Sequence, residues 1–185
     1  THGKTTTTGM LTQLFIQAGK DPSAIIGGKL PFIGSNGRAG KSDIMICEAC
    51  EYVDTFLKLS PAISIILNID ADHLEYFGSL ENIIKSFHQF VNQTSKVLIV
   101  NGDDENVKKA IKDIQDVKII TFGLGADNDY SAANIKEEPN VFEDFTLMKQ
   151  GTPLTDIRLS VPGKHNIMNA LAAAATADYF GISGN

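Results

Sequence analysis

The sequence predicts an α/β fold with a doubly wound, mostly parallel sheet. First, short apolar runs alternate with helical patterns along residues 24–122, and such runs are typical of strands buried on both faces. Second, a Gly-Lys-Thr triplet at 3–5 directly precedes a helical pattern, which predicts a phosphate-binding loop, or P-loop. Third, three short segments with turn residues at 137–140 and 150–153 occupy residues 131–161, which predicts a small appended antiparallel sheet.

The helices are predicted from apolar residues spaced three and four positions apart. The first covers residues 7–18 and ends at Gly19. Two more are predicted at 79–91 and 105–114, and an alanine-rich stretch at 166–180 predicts the last. The apolar runs predicted as strands lie at 24–26, 44–47, 63–69, 96–100 and 117–122.

The length and composition predict one globular domain. A chain of 185 residues can bury one sizeable core. Because the chain begins at Thr1, within what looks like the second half of a P-loop, we expect a piece of a longer protein. No run of 18 apolar residues is present, so we expect no membrane span. The net charge of -6 argues against nucleic-acid binding, which needs a basic surface.

The two cysteines, Cys47 and Cys50, are interpreted as structural. Their Cys-x-x-Cys spacing occurs in zinc and redox sites, but no second cysteine pair follows. Cys47 ends an apolar run, where a small buried thiol is common. No secretory leader is visible, so we expect a cytoplasmic protein.

Two Gly-Lys-Ser/Thr triplets occur, and their contexts separate them. Lys4 precedes a predicted helix, whose first N–H groups form an anion site; there Lys4 would add charge and the Thr5 hydroxyl would bind Mg²⁺. The threonines at 5–8 also suit a helix start, and the two roles are compatible. Lys41 precedes the run at 44–47, and a strand start has no such group of N–H donors. We therefore expect nucleotide phosphates at Lys4.

Polar residues after two buried strands would complete a metal and nucleotide site. Glu48 follows the run at 44–47, and His73 follows the run at 63–69. Ligands bind at the carboxyl ends of strands in open α/β sheets, so both side chains would lie on the same edge as Lys4. Taken alone, Glu48 could be a surface carboxylate and His73 a structural histidine.

Asparagines at the start of the last helix could recognise an adenine. The amides of Asn166 and Asn169 each offer a donor and an acceptor, although Asn166 could instead cap the helix. Arg38 is interpreted as a loop residue, since surface arginines are common. His2 and His88 carry no independent signal.

Five ordered motifs resemble the central ATP-binding domain of the Mur ligase family. They are Thr-His-Gly-Lys-Thr-Thr-Thr-Thr (1–8), Glu-Ala-Cys-Glu (48–51), Asn-Ile-Asp-Ala-Asp-His (68–73), Asn-Gly-Asp-Asp (101–104) and Gly-Lys-His-Asn-Ile-Met-Asn-Ala-Leu-Ala-Ala (163–173). They cover nearly the whole chain, so the resemblance is specific. It implies that residues 1–185 are this domain, without the N-terminal UDP-binding domain and the C-terminal domain.

The resemblance implies ATP and Mg²⁺ as cofactors. Lys4 would contact the ATP phosphates and take part in catalysis. Thr5 and Glu48 would bind one Mg²⁺, and His73 would bind a second that bridges phosphate and acyl substrate, which makes His73 catalytic as well. The residues implied for the nucleotide as a whole are His2, Gly3, Lys4, Thr5, Thr6, Asn166 and Asn169, the last two holding the adenine. Several relatives carry a carbamylated lysine near the position of Lys85 and His88, and the resemblance gives that role to neither residue.

Within the family, His2 and the segment 48–51 look most like the member that joins L-alanine to UDP-N-acetylmuramate in peptidoglycan synthesis. The implied reaction activates the muramoyl carboxylate as an acyl phosphate, which the amine of L-alanine attacks. One alternative is the recycling ligase that attaches a murein peptide to the same sugar nucleotide. Another is a nucleotide-binding module without chemistry. We expect this chain alone to bind nucleotide weakly and to catalyse little, because closure of a lid completes such sites.

Overall fold

The computed structural model describes residues 1–137 and 143–182. Strands and α-helices follow in the order α1 (Lys4–Gln17), β1 (Ser23–Leu30), β2 (Ser35–Arg38), β3 (Met45–Cys47), β4 (Ile63–Ile66), α2 (Leu74–Phe77), α3 (Leu80–Asn92), β5 (Val97–Asn101), α4 (Glu105–Ala110), β6 (Lys118–Phe122), β7 (Tyr130–Glu137), β8 (Glu143–Lys149), β9 (Thr152–Leu159) and α5 (Lys164–Tyr179). Every predicted strand and helix is present, although α4 ends four residues before the predicted residue 114. Strand β2 and helix α2 were not predicted.

The strands form two sheets. The smaller has the order β2-β1-β3, with β1 and β3 parallel, and the larger has the order β4-β5-β6-β7-β8-β9. Strands β4, β5 and β6 are parallel, whereas β7, β8 and β9 form an antiparallel meander. The predicted antiparallel segment is therefore confirmed, and it extends the larger sheet through the pairing of Phe122 with Tyr130. Of the predicted turn at 137–140, residues 138–140 lie outside the described residues.

Strand β5 shows why helices cover both faces of the larger sheet. Val97 and Ile99 pack in one cluster with Leu171 of α5. Leu98 and Val100 pack in another cluster with residues of α3 and α4. Because successive side chains of a strand point to opposite faces, a continuous apolar run is the pattern that two covered faces require.

Helix α1 packs on the smaller sheet and beside α5. Leu11 and Phe15 of α1 share a cluster with Ala24 and Ile26 of β1 and Ile46 of β3. This packing places the N-terminus of α1 at the carboxyl ends of β1 and β3. Among the described residues, none of the helices has the length and apolar character that crossing a membrane requires.

A cavity lies between the two sheets. Within the described ranges, no hydrogen-bonded ladder joins β3 to β4, and a cavity of about 840 Å³ is lined by residues of both strands, α1 and α3. Lys4, Glu48 and Glu51 also line it. The polar residues at the carboxyl ends of the strands therefore border an interior space rather than a flat surface.

Candidate nucleotide and metal site

Asn68 joins the P-loop to the end of β4. Its Oδ1 accepts hydrogen bonds from Thr1 Oγ1 and from the backbone N–H of His2, each at 2.7 Å, and its Nδ2 donates to the His2 carbonyl at 2.9 Å. These bonds hold Thr1 and His2 at the end of β4. The structure thus brings together the P-loop and the segment 68–73.

Thr5 and Glu48 are in direct contact. The Thr5 hydroxyl donates to Glu48 Oε1 at 2.9 Å, and the Gly27 N–H donates to Glu48 Oε2 at 2.6 Å. A Cβ at Gly27 would lie 2.6 to 2.8 Å from the carboxylate atoms of Glu48, so only glycine leaves room for this carboxylate. Strand β1 therefore positions Glu48 beside the P-loop, and the sequence analysis missed this role of Gly27.

Lys4 forms an ion pair with a buried carboxylate. Its Nζ lies 3.0 Å from Glu51 Oε1 and 2.9 Å from Glu51 Oε2, and it also donates to the Thr1 carbonyl. The side chain of Glu51 is 2% exposed and that of Lys4 is 27% exposed. Glu51 was not predicted as a site residue. The sequence signal was a second carboxylate three residues after Glu48, but nothing in the sequence shows that it is buried.

His73 lies between β4 and α2 with charged and aromatic neighbours. Its Nδ1 is 3.9 Å from Asp72 Oδ1 and 3.5 Å from Glu75 Oε1. The imidazole ring packs on Tyr52, with ring centroids 4.8 Å apart. One ligand atom from each of Glu51, Asp72 and His73 lies within 4.8 Å of the others. The structure therefore places His73 next to the partner of Lys4.

Backbone strain surrounds this part of the site. Val53 and Asp54 have φ values of 53° and 54°, and His73 has a φ of 52°. The left-handed region costs roughly 1–3 kcal/mol per non-glycine residue and is most unfavourable for a β-branched side chain. The Asp54 carboxylate holds its turn by accepting hydrogen bonds from the hydroxyls of Tyr76 and Ser86. These turns flank Tyr52 and His73, whose rings pack on each other.

Asn166 and Asn169 lie between α5 and the P-loop. Asn169 Nδ2 donates to Asn166 Oδ1 at 3.0 Å, and Asn169 Oδ1 accepts from Thr7 Oγ1 at 3.2 Å. Asn166 Nδ2 donates to the Pro162 carbonyl at 2.7 Å. Both asparagines are buried. They connect the start of α5 to the first turns of α1, and their adenine role stays a prediction.

The remaining P-loop residues are more exposed. The His2 side chain is exposed, with Nε2 3.7 Å from Asp70 Oδ2. Gly3 has a φ of 84°, which is in the region that favours glycine. Thr6 is half-buried in the first turn of α1.

The second triplet has a structural explanation. Lys41 precedes β3 and not a helix, as expected, and its N–H donates to Asp21 Oδ2. A Cβ at Gly40 would lie 2.2 Å from the Asp21 carbonyl oxygen, so close packing accounts for the glycine. Arg38 is the last residue of strand β2 and not a loop residue as interpreted from the sequence, and it forms an ion pair with Asp21.

The cysteines and His88 lie outside the P-loop contacts. The expectation of a buried Cys47 is wrong: Cys47 and Cys50 are both exposed free thiols. Successive side chains of a strand point to opposite faces, and Cys47 lies on the face of β3 opposite the buried Ile46. Partial burial and the Glu48 carboxylate raise the pKa of Cys47 above its usual value, which disfavours the reactive thiolate. His88 Nδ1 contacts the Ala110 carbonyl and its Nε2 contacts Asn92.

Comparison with known proteins identifies the family. The model of the Mur ligase middle domain matches residues 1–177. The chain belongs to the Mur ligase family. The UDP-N-acetylmuramate–L-alanine ligase of Acetivibrio thermocellus is 42% identical over 99% of this chain and 39% of its own length. The ligase of the same name from Caldanaerobacter subterraneus is 40% identical over 98% of this chain and 40% of its own length. The chain thus spans about two fifths of these curated relatives.

Solved structures show the same fold. A UDP-N-acetylmuramate:L-alanyl-γ-D-glutamyl-meso-diaminopimelate ligase from Neisseria meningitidis has a TM-score of 0.86 at 27% identity, covering 99% of this chain and 60% of that one. The UDP-N-acetylmuramate–alanine ligase MurC from Thermotoga maritima has a TM-score of 0.83 at 28% identity, covering 98% and 40%. The predicted P-loop-containing α/β fold is confirmed by these Mur ligase structures.

The residues of this Mur ligase domain fit a Mg²⁺ ion at Thr5 and Glu48. Mg²⁺ takes oxygen ligands at about 2.0–2.1 Å in an octahedron, so neighbouring ligand atoms are roughly 3 Å apart. Thr5 Oγ1 and Glu48 Oε1 are both oxygens and lie 2.9 Å apart. The second group of ligand atoms, on Glu51, Asp72 and His73, combines carboxylates with an imidazole. Such a mixed set suits Mn²⁺ and other transition ions as well as Mg²⁺.

Proposed function

We propose that this domain binds ATP with Mg²⁺ and belongs to a cytoplasmic ligase that joins L-alanine to UDP-N-acetylmuramate. The observation that carries the proposal is the contact between the Thr5 hydroxyl and the Glu48 carboxylate, beside Lys4 at the start of α1. A helix N-terminus with a lysine and two oxygen ligands is suited to a metal-bound polyphosphate. The 40–42% identity to L-alanine-adding ligases supports the substrates.

The side chains would act on charge and position. Lys4 would move from Glu51 to the phosphates and offset the negative charge on the transferring phosphoryl group. Mg²⁺, when bound by Thr5 and Glu48, supplies Lewis-acid stabilisation of that charge. His73 would hold a second cation close to the acyl carboxylate. The γ-phosphoryl group passes to the muramoyl carboxylate, and the amine of L-alanine then displaces phosphate to form the amide.

Asn166 and Asn169 would contribute adenine contacts from the α5 side. In their present bonds, Nδ2 of Asn166 donates to Pro162 and Nδ2 of Asn169 donates to Asn166. An amide nitrogen carries two N–H groups, so each asparagine can keep its internal bond and offer a second donor to a base. Their burial would exclude water from that contact.

The experiment that tests the phosphate site is calorimetric titration of ATP and Mg²⁺ into this chain. Lys4→Gln keeps a hydrogen-bond donor near Glu51 but removes the charge, and we expect it to weaken binding at least tenfold. Lys41→Gln is the matched control, because it changes the same residue type in the second triplet, and we expect no effect. Equal binding by all three proteins would exclude a nucleotide site at Lys4. Circular dichroism checks that Lys4→Gln remains folded.

A second candidate function is attachment of a murein peptide to the same sugar nucleotide. The Neisseria meningitidis structure named for that peptide substrate, with its TM-score of 0.86, favours it. Phosphate release by the full-length protein, supplied with ATP, UDP-N-acetylmuramate and either L-alanine or the peptide, separates the two reactions. Nucleotide binding without phosphate release in either mixture would instead favour a non-catalytic module.

A further inference from the structure

Glu51 combines deep burial with an incomplete set of partners. Its side chain is 2% exposed. Oε1 accepts a hydrogen bond from Lys4 Nζ at 3.0 Å. Oε2 is 2.9 Å from the same nitrogen, but the contact lacks hydrogen-bond geometry, and this buried atom has no hydrogen-bond donor among the described residues. Lys4 is therefore the side-chain cation that balances the charge of Glu51.

Removing Lys4 from this pair would leave a buried carboxylate without a counter-charge. Breaking a buried ion pair on one side destabilises a protein far more than losing a surface pair, because the remaining charge stays desolvated. A nucleotide phosphate at the P-loop competes for the same Lys4 ammonium. This deepens the proposed function, since it rests on phosphate binding at Lys4. Some other cation must then balance Glu51.

The residues next to Glu51 are suited to supply such a site. Asp72 and His73 each place one ligand atom within 4.8 Å of a ligand atom of Glu51. In an octahedral Mg²⁺ site neighbouring ligands are roughly 3 Å apart and opposite ligands about 4.2 Å apart, so these side chains would have to approach one another by up to about 2 Å to close the set. Two carboxylates would contribute charge, and the imidazole would contribute a nitrogen ligand.

We propose that Glu51 exchanges partners: it holds Lys4 in the nucleotide-free protein and, once phosphate takes Lys4, binds a divalent cation together with Asp72 and His73. Glu51 is then both a positioning residue for Lys4 and a cation ligand. Nucleotide and cation would therefore each raise the affinity for the other. The phosphate takes Lys4 and leaves the Glu51 carboxylate for the cation, and the cation takes Glu51 and leaves the Lys4 ammonium for the phosphate.

The first test uses Mn²⁺ alone, without nucleotide. Lys4→Met removes the ammonium and keeps an apolar stem of similar size, so Glu51 becomes available to a metal. We expect Lys4→Met to bind Mn²⁺ at least tenfold more tightly than wild type, measured by the loss of the free Mn²⁺ signal in electron paramagnetic resonance. The melting temperature of this variant should also rise more on adding Mn²⁺, because a ligand that binds only the folded state stabilises it.

Two double variants distinguish a direct role of Glu51 as a metal ligand from a general effect of negative charge on Mn²⁺ binding. Lys4→Met with Glu51→Gln should return Mn²⁺ affinity to the wild-type value. Lys4→Met with Asp70→Asn removes the same amount of charge from an exposed neighbour outside the ligand group, and it should keep most of the gain. A gain that survives Glu51→Gln, or no gain in Lys4→Met while circular dichroism shows a folded protein, would overturn the proposal.

The outcome does not depend on whether this chain binds ATP. If the Mn²⁺ affinities of wild type, Lys4→Met and the two double variants follow the expected order but ATP titration shows no binding, the Glu51 site stands and the proposed nucleotide function fails. If ATP binds at Lys4 and Mn²⁺ is indifferent to Glu51, the function stands and the partner exchange fails. With both intact, adding ADP should raise Mn²⁺ affinity more in wild type than in Glu51→Gln, because the variant keeps only the cation site at Thr5 and Glu48.

Discussion

Replacing Gly3 with alanine should destabilise the fold even without nucleotide. Gly3 has a φ of +84°, and a Cβ there would lie 2.3 Å from Asn169 Oδ1 and 3.3 Å from Leu67 Cδ1. Real Cβ atoms do not approach another heavy atom at 2.3 Å, so Asn169 must move. Because Asn169 is 5% exposed and accepts a hydrogen bond from Thr7, it has no solvent-exposed position to take.

The expected magnitude has two parts. An alanine in the left-handed region costs about 1–2 kcal/mol, and disrupting a buried, hydrogen-bonded amide costs about 1–3 kcal/mol. Gly3→Ala should therefore lower the free energy of unfolding by about 2–5 kcal/mol. Gly19 is the matched control: its φ is +70°, but a Cβ there would meet nothing within 4 Å. Gly19→Ala should show only the first part, about 1–2 kcal/mol.

Urea unfolding followed by circular dichroism measures both variants, with the slope checked for two-state behaviour. A double-mutant cycle then identifies the contact: in an Asn169→Ala background, the cost of Gly3→Ala should fall to that of Gly19→Ala. Equal costs for Gly3→Ala and Gly19→Ala in the wild-type background would refute the close approach. In that case, Gly3 would be required only for its backbone conformation or for phosphate binding.

Two further predictions concern single positions. Gly27→Ala should displace the flexible Glu48 side chain and weaken binding of Mg²⁺ and ATP by roughly 10- to 100-fold, the equivalent of one charge-assisted hydrogen bond. Gly37→Ala, whose Cβ would make an ordinary 3.4 Å contact, should leave the calorimetric affinity unchanged. Burial raises the pKa of Asp103, but hydrogen bonds from the Asn128 side chain and from the backbone N–H groups of Gly125 and Leu124 lower it by more, so its pKa lies below its usual value. The ionised Asp103 carboxylate therefore stabilises the folded state at pH values above its unfolded-state pKa, and this stabilisation is lost as the pH falls through its folded-state pKa. Between pH 6 and pH 2, the melting temperature of Asp103→Asn should fall less than that of the wild type.

The elements buried on both faces were the most predictable part of the fold. The apolar run at 96–100 forms β5, and its alternate residues pack in two different clusters, one on each face of the sheet. Helices α3 and α4 carried readable start signals, since Ser79 and Asp104 accept hydrogen bonds from the N–H groups of their first turns. By contrast, β2 and α2 are only four residues long and Phe77 is their single buried residue, so Ser35–Arg38 and Leu74–Phe77 carry no periodic apolar pattern to indicate them.

The sequence by itself determined the P-loop, the order of the strands and helices other than β2 and α2, and the candidates Lys4, Thr5, Glu48 and His73. These follow from local chemistry: a helix start offers N–H groups, and strand ends carry polar residues toward one edge. Only the tertiary structure decided which of those residues touch. Glu51 became the partner of Lys4, and Gly27 made room for Glu48, because residues 47 and 21 positions apart in sequence meet in space. Burial and contact depend on how whole elements pack, and no local pattern encodes that packing.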